Sequence, residues 1–213
     1  DAAAASWGAR RRLRRLLARR VARSGRPRLV EKLPINSFRL PFIDAALPDA
    51  HYVHIVRDGV EVARSIAHWC RERAWFGADD YKWRLLVTYA ERQPRYRDLP
   101  ALCRDDYTRG LLEWRLSEEA ALEFLAPLPQ SRHLEVRYDA FVRAPGDVLA
   151  GIERFLGLQP SLAARRFAET NVTGPSRPPA PAPDPIATER IAGDLLRRLG
   201  FWREPSAALE PSA

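Results

Sequence analysis

A chain of 213 residues that is 46% hydrophobic can bury one sizeable core, with room left for a small appendage. No stretch approaches the ~18 consecutive apolar residues of a membrane-spanning helix, and the basic N-terminal stretch runs into more Arg rather than into the apolar part of a secretory signal. The net charge of +8 is local: residues 1–28 hold ten Arg and one Asp, so the remainder is nearly neutral, which argues against nucleic acid as the main partner.

Residues 9–23, ARRRLRRLLARRVAR, place Leu13, Leu16, Leu17 and Val21 on one helical stripe with arginines around the rest. This predicts a basic amphipathic helical arm over 1–27, whose face is either simply solvated or meets an acidic or nucleic-acid surface. Gly25 and Pro27 break it, and RLVE (28–31) follows as a short strand candidate. Beyond Pro34, Asn36 or Ser37 can cap a helix running through Phe38, Leu40, Phe42, Ile43 and Ala46. After the turn LPDA, HYVHIVR (51–57) is the strongest strand signal, β-branched and aromatic and apolar on both faces. Asp58-Gly59 then turns sharply into a helix over 60–73 with Val60, Ala63, Ile66, Ala67 and Cys70 inward.

Residues 78–126 read as mostly helical and are rich in Trp and Tyr. HLEVR, ending at Arg137, is a third strand candidate. Pro145 opens a helix ending near Gly157, Pro160 opens another, and a last helix covers 186–199. Between them, NVTGPSRPPAPAPDP (171–185) has too much Pro and Gly for regular structure. Strands alternating with helices at this spacing predict an α/β fold built on a parallel sheet with right-handed crossovers. One α/β domain over 28–203 and a flexible tail over 204–213 complete the expected organisation. Cys70 and Cys103 show no metal-ligand spacing and read as buried free thiols of a reducing compartment, so a metal-free, cytoplasmic protein is expected.

Ligands of open parallel sheets bind at the carboxyl ends of the strands. Here those ends carry Glu31-Lys32, Arg57-Asp58-Gly59 and Arg137-Tyr138, groups suited to an anion. Arg57 leaves its strand tip and Ser65 follows two helical turns later; a guanidinium fork and a hydroxyl can grip one phosphate. A surface ion pair of Arg57 with Asp58 or Glu61 would explain the same letters. Of 35 basic residues only Lys32 and Lys82 are lysines. A compact ammonium on a flexible stem can follow a charge as it moves between two atoms, which a planar guanidinium does less well. Lys82, in DDYKWR on a helix face, suggests no chemistry. Trp69, Trp75, Phe76, Trp83 and Trp114 could line an acceptor pocket, although helix-face aromatics more often fill a core.

The run EKLPINSFRLPFIDAALPDAHYVHIVRDGVEVARS resembles the core of the sulfotransferase superfamily, in particular its bacterial and tyrosylprotein-type branch. The likeness continues through LEVRYDAFVRAPGDVLAGIERFLGL (134–158) and DPIATERIAGDLLRRLGF (184–201), in the family's order. It implies a P-loop-like α/β fold and transfer of a sulfuryl group from 3′-phosphoadenosine-5′-phosphosulfate (PAPS) to a hydroxyl or amine. The acceptor could be a small molecule, carbohydrate, lipid or peptide. Arg57 and Ser65 match the pair that holds the donor's 3′-phosphate, Tyr138 a tyrosine on its adenosine portion, and Lys32 a lysine near the transferring group. Ser176 and Arg177 lie in a late loop that closes over the donor in relatives.

The family's opening strand and its Arg-Ser-Gly-Thr-Thr-type loop, which cradles the 5′-phosphosulfate, find no match. RSGRPR (23–28) offers three letters of that loop, but an Arg-rich helix precedes it and no Thr follows. There is also no Met, even at position 1. The resemblance therefore implies a three-layer sandwich whose central parallel sheet is incomplete at its N-terminal strand, and the chain is expected to be the C-terminal part of such an enzyme, inactive or impaired on its own, with the acceptor's base upstream. Two other readings stand beside this one. A nucleotide-dependent phosphotransferase would share the fold class, but no G-x-x-x-x-G-K-[ST] stretch is present. A basic non-catalytic binding module would act through the helix at 9–23.

Overall fold

Tyr52–Val56 (β1) and His133–Arg137 (β2) pair in parallel, in register from Tyr52↔His133 to Val56↔Arg137. In this computed structural model, which describes residues 6–26, 28–174 and 184–202, they form a two-stranded sheet among helices. The helices are α1 (Trp7–Ser24), α2 (Leu40–Ala46), α3 (Gly59–Arg71), α4 (Tyr81–Glu91) and α5 (Asp106–Leu125). After β2 come α6 (Tyr138–Arg143), α7 (Pro145–Phe155), α8 (Leu162–Asn171) and α9 (Pro185–Arg198). The architecture is a helix-rich α/β fold with a small parallel sheet. The chain divides into two units, residues 1–56 with 117–175, and residues 57–116 with 176–213.

In the first unit the sheet buries Val56 and Val136, and α6 and α7 pack on β2. Arg132 donates to Asp44 Oδ1 at 2.7 Å and to the Ala50 carbonyl at 2.8 Å, and the Tyr52 hydroxyl donates to Asp44 Oδ1 at 3.1 Å. That network holds the LPDA turn against the start of β1. Burial, reinforced by the Asp44 carboxylate, drives the Tyr52 hydroxyl far above its usual pKa. α1 lies on α2 through half-buried Leu13, Leu17 and Val21, and Arg14 Nε donates to the Ala46 carbonyl at 2.5 Å. Leu16, expected on the same stripe, faces solvent at 54% exposure.

Two expectations for this unit fail. Residues 28–31 form no strand; Val30 is 86% exposed, and no described strand flanks the segment to pair with its backbone. The Arg28 guanidinium instead ties it to the Leu156 carbonyl. The next helix also starts differently. A 3-10 turn spans Pro34–Arg39 and becomes α-helical only at Leu40, so neither Asn36 nor Ser37 is its cap. Proline's fixed φ suits such a first turn.

The second unit is a helical core. Leu111, Leu112 and Leu116 of α5 and Ile191, Leu195 and Leu196 of α9 are all at most 2% exposed, each contributing roughly 1.5–3 kcal/mol of burial. At Gly110 a Cβ would come 3.0 Å from Ile66 Cβ, so α3 and α5 approach closely there. Asp184 caps α9 by accepting from Ile186 N and Ala187 N at 2.9 and 3.2 Å. Arg115 clamps the same helix through both Asp194 oxygens at 2.8 and 2.7 Å. The long Pro-rich stretch lies mostly, and the tail at 204–213 wholly, outside the described residues.

Candidate functional site

The turn after β1 is built around one ring. Trp114 Nε1 donates to the Arg57 carbonyl at 3.1 Å, and its indole covers Gly59 so closely that a Cβ there would stand 2.5 Å from Trp114 Cδ2. No other residue fits under that ring without displacing it. Asp58 caps α3, its Oδ1 accepting from Val60 N at 2.9 Å. The carboxylate therefore occupies the helix N-terminus itself, so an anion near this turn must be gripped by side chains rather than by free amides. Glu61 Oε1 pairs with Arg64 at 2.8 Å. Arg57 and Ser65 are half-buried, and Ser65 lies about 9 Å along the α3 axis from Gly59 at 1.5 Å per residue.

Lys32 belongs to the first unit and is exposed. Its neighbour Glu31 is engaged across the Pro34 turn, where the Asn36 amide donates to Glu31 Oε2. The Glu-Lys-x-Pro-x-Asn run is therefore a local staple: Glu31 and Asn36 close it, and Lys32 makes no ion pair with any described residue. Tyr138 is half-buried and opens α6 directly after β2, with Arg137 as the N-cap. Because Val56 pairs with Arg137, the two strands end level. His54 of β1 approaches Glu118 of α5 at 3.0 Å, a buried pair joining residues far apart in sequence.

Of the predicted site residues, Arg57 and Ser65 share the second unit, Lys32 and Tyr138 the first, and Ser176 and Arg177 lie outside the described residues. The five aromatics part company. Phe76 and Trp114 are 4 and 5% exposed and belong to the core, Trp83 meets Phe76 edge-on at 5.9 Å, and Trp69 is 44% exposed. Trp75 joins the other lysine. Lys82 Nζ lies 2.5 Å from Glu113 Oε1 and 3.9 Å from the Trp75 ring centroid, while Trp75 Nε1 donates to Glu113 Oε2 at 2.6 Å. A buried carboxylate is thereby satisfied at both oxygens, and Trp75 is held at φ 54°, the left-handed region. Lys82 accordingly has a structural task.

Sequence reasoning missed Trp114 and Glu113 as supports, since neither carries any local mark of its partner. Among the described residues no group of three or more His, Cys, Asp or Glu could hold a metal ion, and no helix is long and apolar enough to cross a membrane.

The sulfotransferase family model matches residues 2–161 of this chain. Among solved structures, the chain is similar to a sulfotransferase domain from the curacin biosynthetic pathway, with 18% identity and a TM-score of 0.45. The match covers 79% of this chain and 62% of that one, so the chain spans less than two-thirds of that relative's length. No curated protein matches it.

Proposed function

The chain belongs to the sulfotransferase family, and on that footing we propose that it serves PAPS-dependent transfer of a sulfuryl group to a hydroxyl or amine. Sulfuryl transfer resembles phosphoryl transfer: an in-line, charge-spreading transition state leaves positioning and cationic stabilisation as the protein's main contributions. In this reading Arg57 and Ser65 hold the donor's 3′-phosphate and Tyr138 contacts its adenosine, while Ser176 and Arg177, outside the described residues, are further donor-binding candidates. Lys32 follows the negative charge from the sulfuryl oxygens to the bridging oxygen as the leaving group departs.

The observation that carries this reading is the β1–α3 turn. Trp114 fixes the Arg57 carbonyl and covers Gly59, and Asp58 caps α3, which makes the strand exit that carries Arg57 a rigid mount. The staple between Glu31 and Asn36 supports the role of Lys32, because it engages the carboxylate of the preceding residue.

Adenosine 3′,5′-bisphosphate tests the donor site. At 100 times its Kd a ligand specific for the folded chain adds about 2.7 kcal/mol of stability. In a chain of this size that is roughly 5–10 °C in Tm. Adenosine 5′-phosphate, which lacks the 3′-phosphate, should shift Tm far less at equal concentration. Equal shifts from the two nucleotides would remove the 3′-phosphate assignment to Arg57 and Ser65.

A further inference from the structure

Helix α1 contains eight arginines and no acid. None of the eight forms an ion pair with a described residue; the one polar tie is that of Arg14 to a carbonyl. One side of the helix, through Leu13, Leu17 and Val21, rests on the fold, and this fixes which side is outward. At about 100° per residue, Arg11, Arg12, Arg15, Arg19 and Arg23 share the outward arc with Gly8, Ala18 and Ala22. Arg11, Arg15, Arg19 and Arg23 form an i,i+4 row about 18 Å long, a spacing at which like charges repel. Such a row gains from an external run of negative charge.

The chemistry around that row narrows the partner. Trp7, Arg10, Arg11, Arg14, Arg15 and Ala18 line a shallow concavity at the head of the helix. Trp7 is 68% exposed, and the Arg11 guanidinium lies 5.0 Å from its ring centroid. An indole face accepts the C–H face of a sugar ring, and guanidinium forks match carboxylate and sulfate. A bilayer fits less well, because the centre of the outward arc has no large apolar side chain to enter the acyl boundary. A nucleic-acid strand also fits less well. Its binders array several aromatics for successive bases, and here the concavity has one, with no amide or hydroxyl among the lining residues to read a base edge.

We propose that the outward face of α1 is a docking strip for an anionic polysaccharide, the acceptor chain or sulfated product of the transfer reaction. The docking itself stands on α1 alone; calling the chain an acceptor or product rests on the sulfotransferase reading.

The test is calorimetric titration of the whole chain with a heparin decasaccharide over a salt series, in parallel with adenosine 3′,5′-bisphosphate melting. Binding should persist at 0.15 M salt (~8 Å screening length), with single-stranded DNA of matched charge and phosphatidylserine vesicles each at least tenfold weaker. Combined Arg11→Ala, Arg15→Ala and Arg19→Ala substitutions improve helix propensity and should leave the nucleotide shift unchanged. They should weaken saccharide binding at least tenfold and flatten the slope of log K against log salt by about three. Trp7→Ala should weaken it several-fold with the slope unchanged, because the indole contact is not ionic. Absence of heparin binding, an unaffected triple variant, or DNA or vesicles binding as tightly as heparin would each overturn the proposal. Heparin binding with this variant pattern but no nucleotide shift would keep the docking strip and instead remove the sulfotransferase reading.

Discussion

The indole of Trp114 lies on Gly59 as a lid on a turn, with no space for even one methyl group between them. Gly59→Ala should therefore destabilise the chain by about 1–3 kcal/mol, as overpacking does. That corresponds to roughly 3–10 °C in Tm for a chain of this length. The nucleotide shift should vanish with it, because the displaced ring also carries the Arg57 carbonyl. Trp114→Phe, which lacks the N–H, should cost about 1 kcal/mol. A Gly59→Ala protein that melts like the wild type would show that the ring does not fix the turn.

Arg57→Ala should weaken binding of adenosine 3′,5′-bisphosphate by about 10–150-fold, the range for losing charge-assisted hydrogen bonds worth 1.5–3 kcal/mol. Ser65→Ala, removing one neutral donor, should cost about tenfold or less. Neither change should alter binding of adenosine 5′-phosphate. Parallel losses for both nucleotides would move Arg57 away from the 3′-phosphate.

Lys32→Ala should leave the nucleotide shift intact and lower whatever transfer rate the chain retains by about 10²–10³, the scale of one preorganised stabilising group. Lys32→Arg should restore only part, since a planar fork cannot track a moving charge as an ammonium does. Nucleotide affinity falling in step with rate would instead make Lys32 a donor-binding residue.

Both thiols should be slow to react. Burial pushes the Cys103 thiol up to about 12 and that of Cys70 upward from 9.0. The raised value favours the protonated, folded form: its contribution is fully present below pH 9 and is lost as pH rises toward 12, because the unfolded thiol ionises first. Urea melts should show stability falling across that window, and alkylation at pH 8 should require unfolding. Rapid stoichiometric labelling of the folded chain would contradict the burial that raises both thiols.

Glu113 should matter more to stability than its helix-face position suggests. Glu113→Ala strands the Lys82 ammonium and the Trp75 N–H together, a loss of about 2–4 kcal/mol after discounting the partial exposure of Lys82. In urea unfolding, a loss under 0.5 kcal/mol would mean that water replaces the carboxylate at no cost.

Much of the fold was legible because its signals are local. The alternation in HYVHIVR and the spacing of Ala63, Ile66 and Cys70 depend only on neighbours in the chain, and β1 and α3 appear within one or two residues of expectation. RLVE failed because strand formation needs a partner that the four letters do not specify. The letters of the site were equally local, yet their supports were not. Trp114 stands 57 residues from Arg57, and Glu113 stands 38 from Trp75. Lys82 shows no local sign of its task for the same reason, its carboxylate and indole being distant in sequence. Leu16 shows the converse limit, since periodicity marks an apolar stripe without saying which of its members the fold covers.

The pairing of β1 with β2 admits only one frame. Sliding β2 by a single position would turn Val136 into water and drive Glu135 toward the interior, exchanging a favourable transfer for a buried charge. The oiliness of one valine thus decides that the polypeptide leaves this ribbon at Arg137 and begins its next helix with Tyr138, so a greasy residue without chemistry of its own governs the address of a phenol.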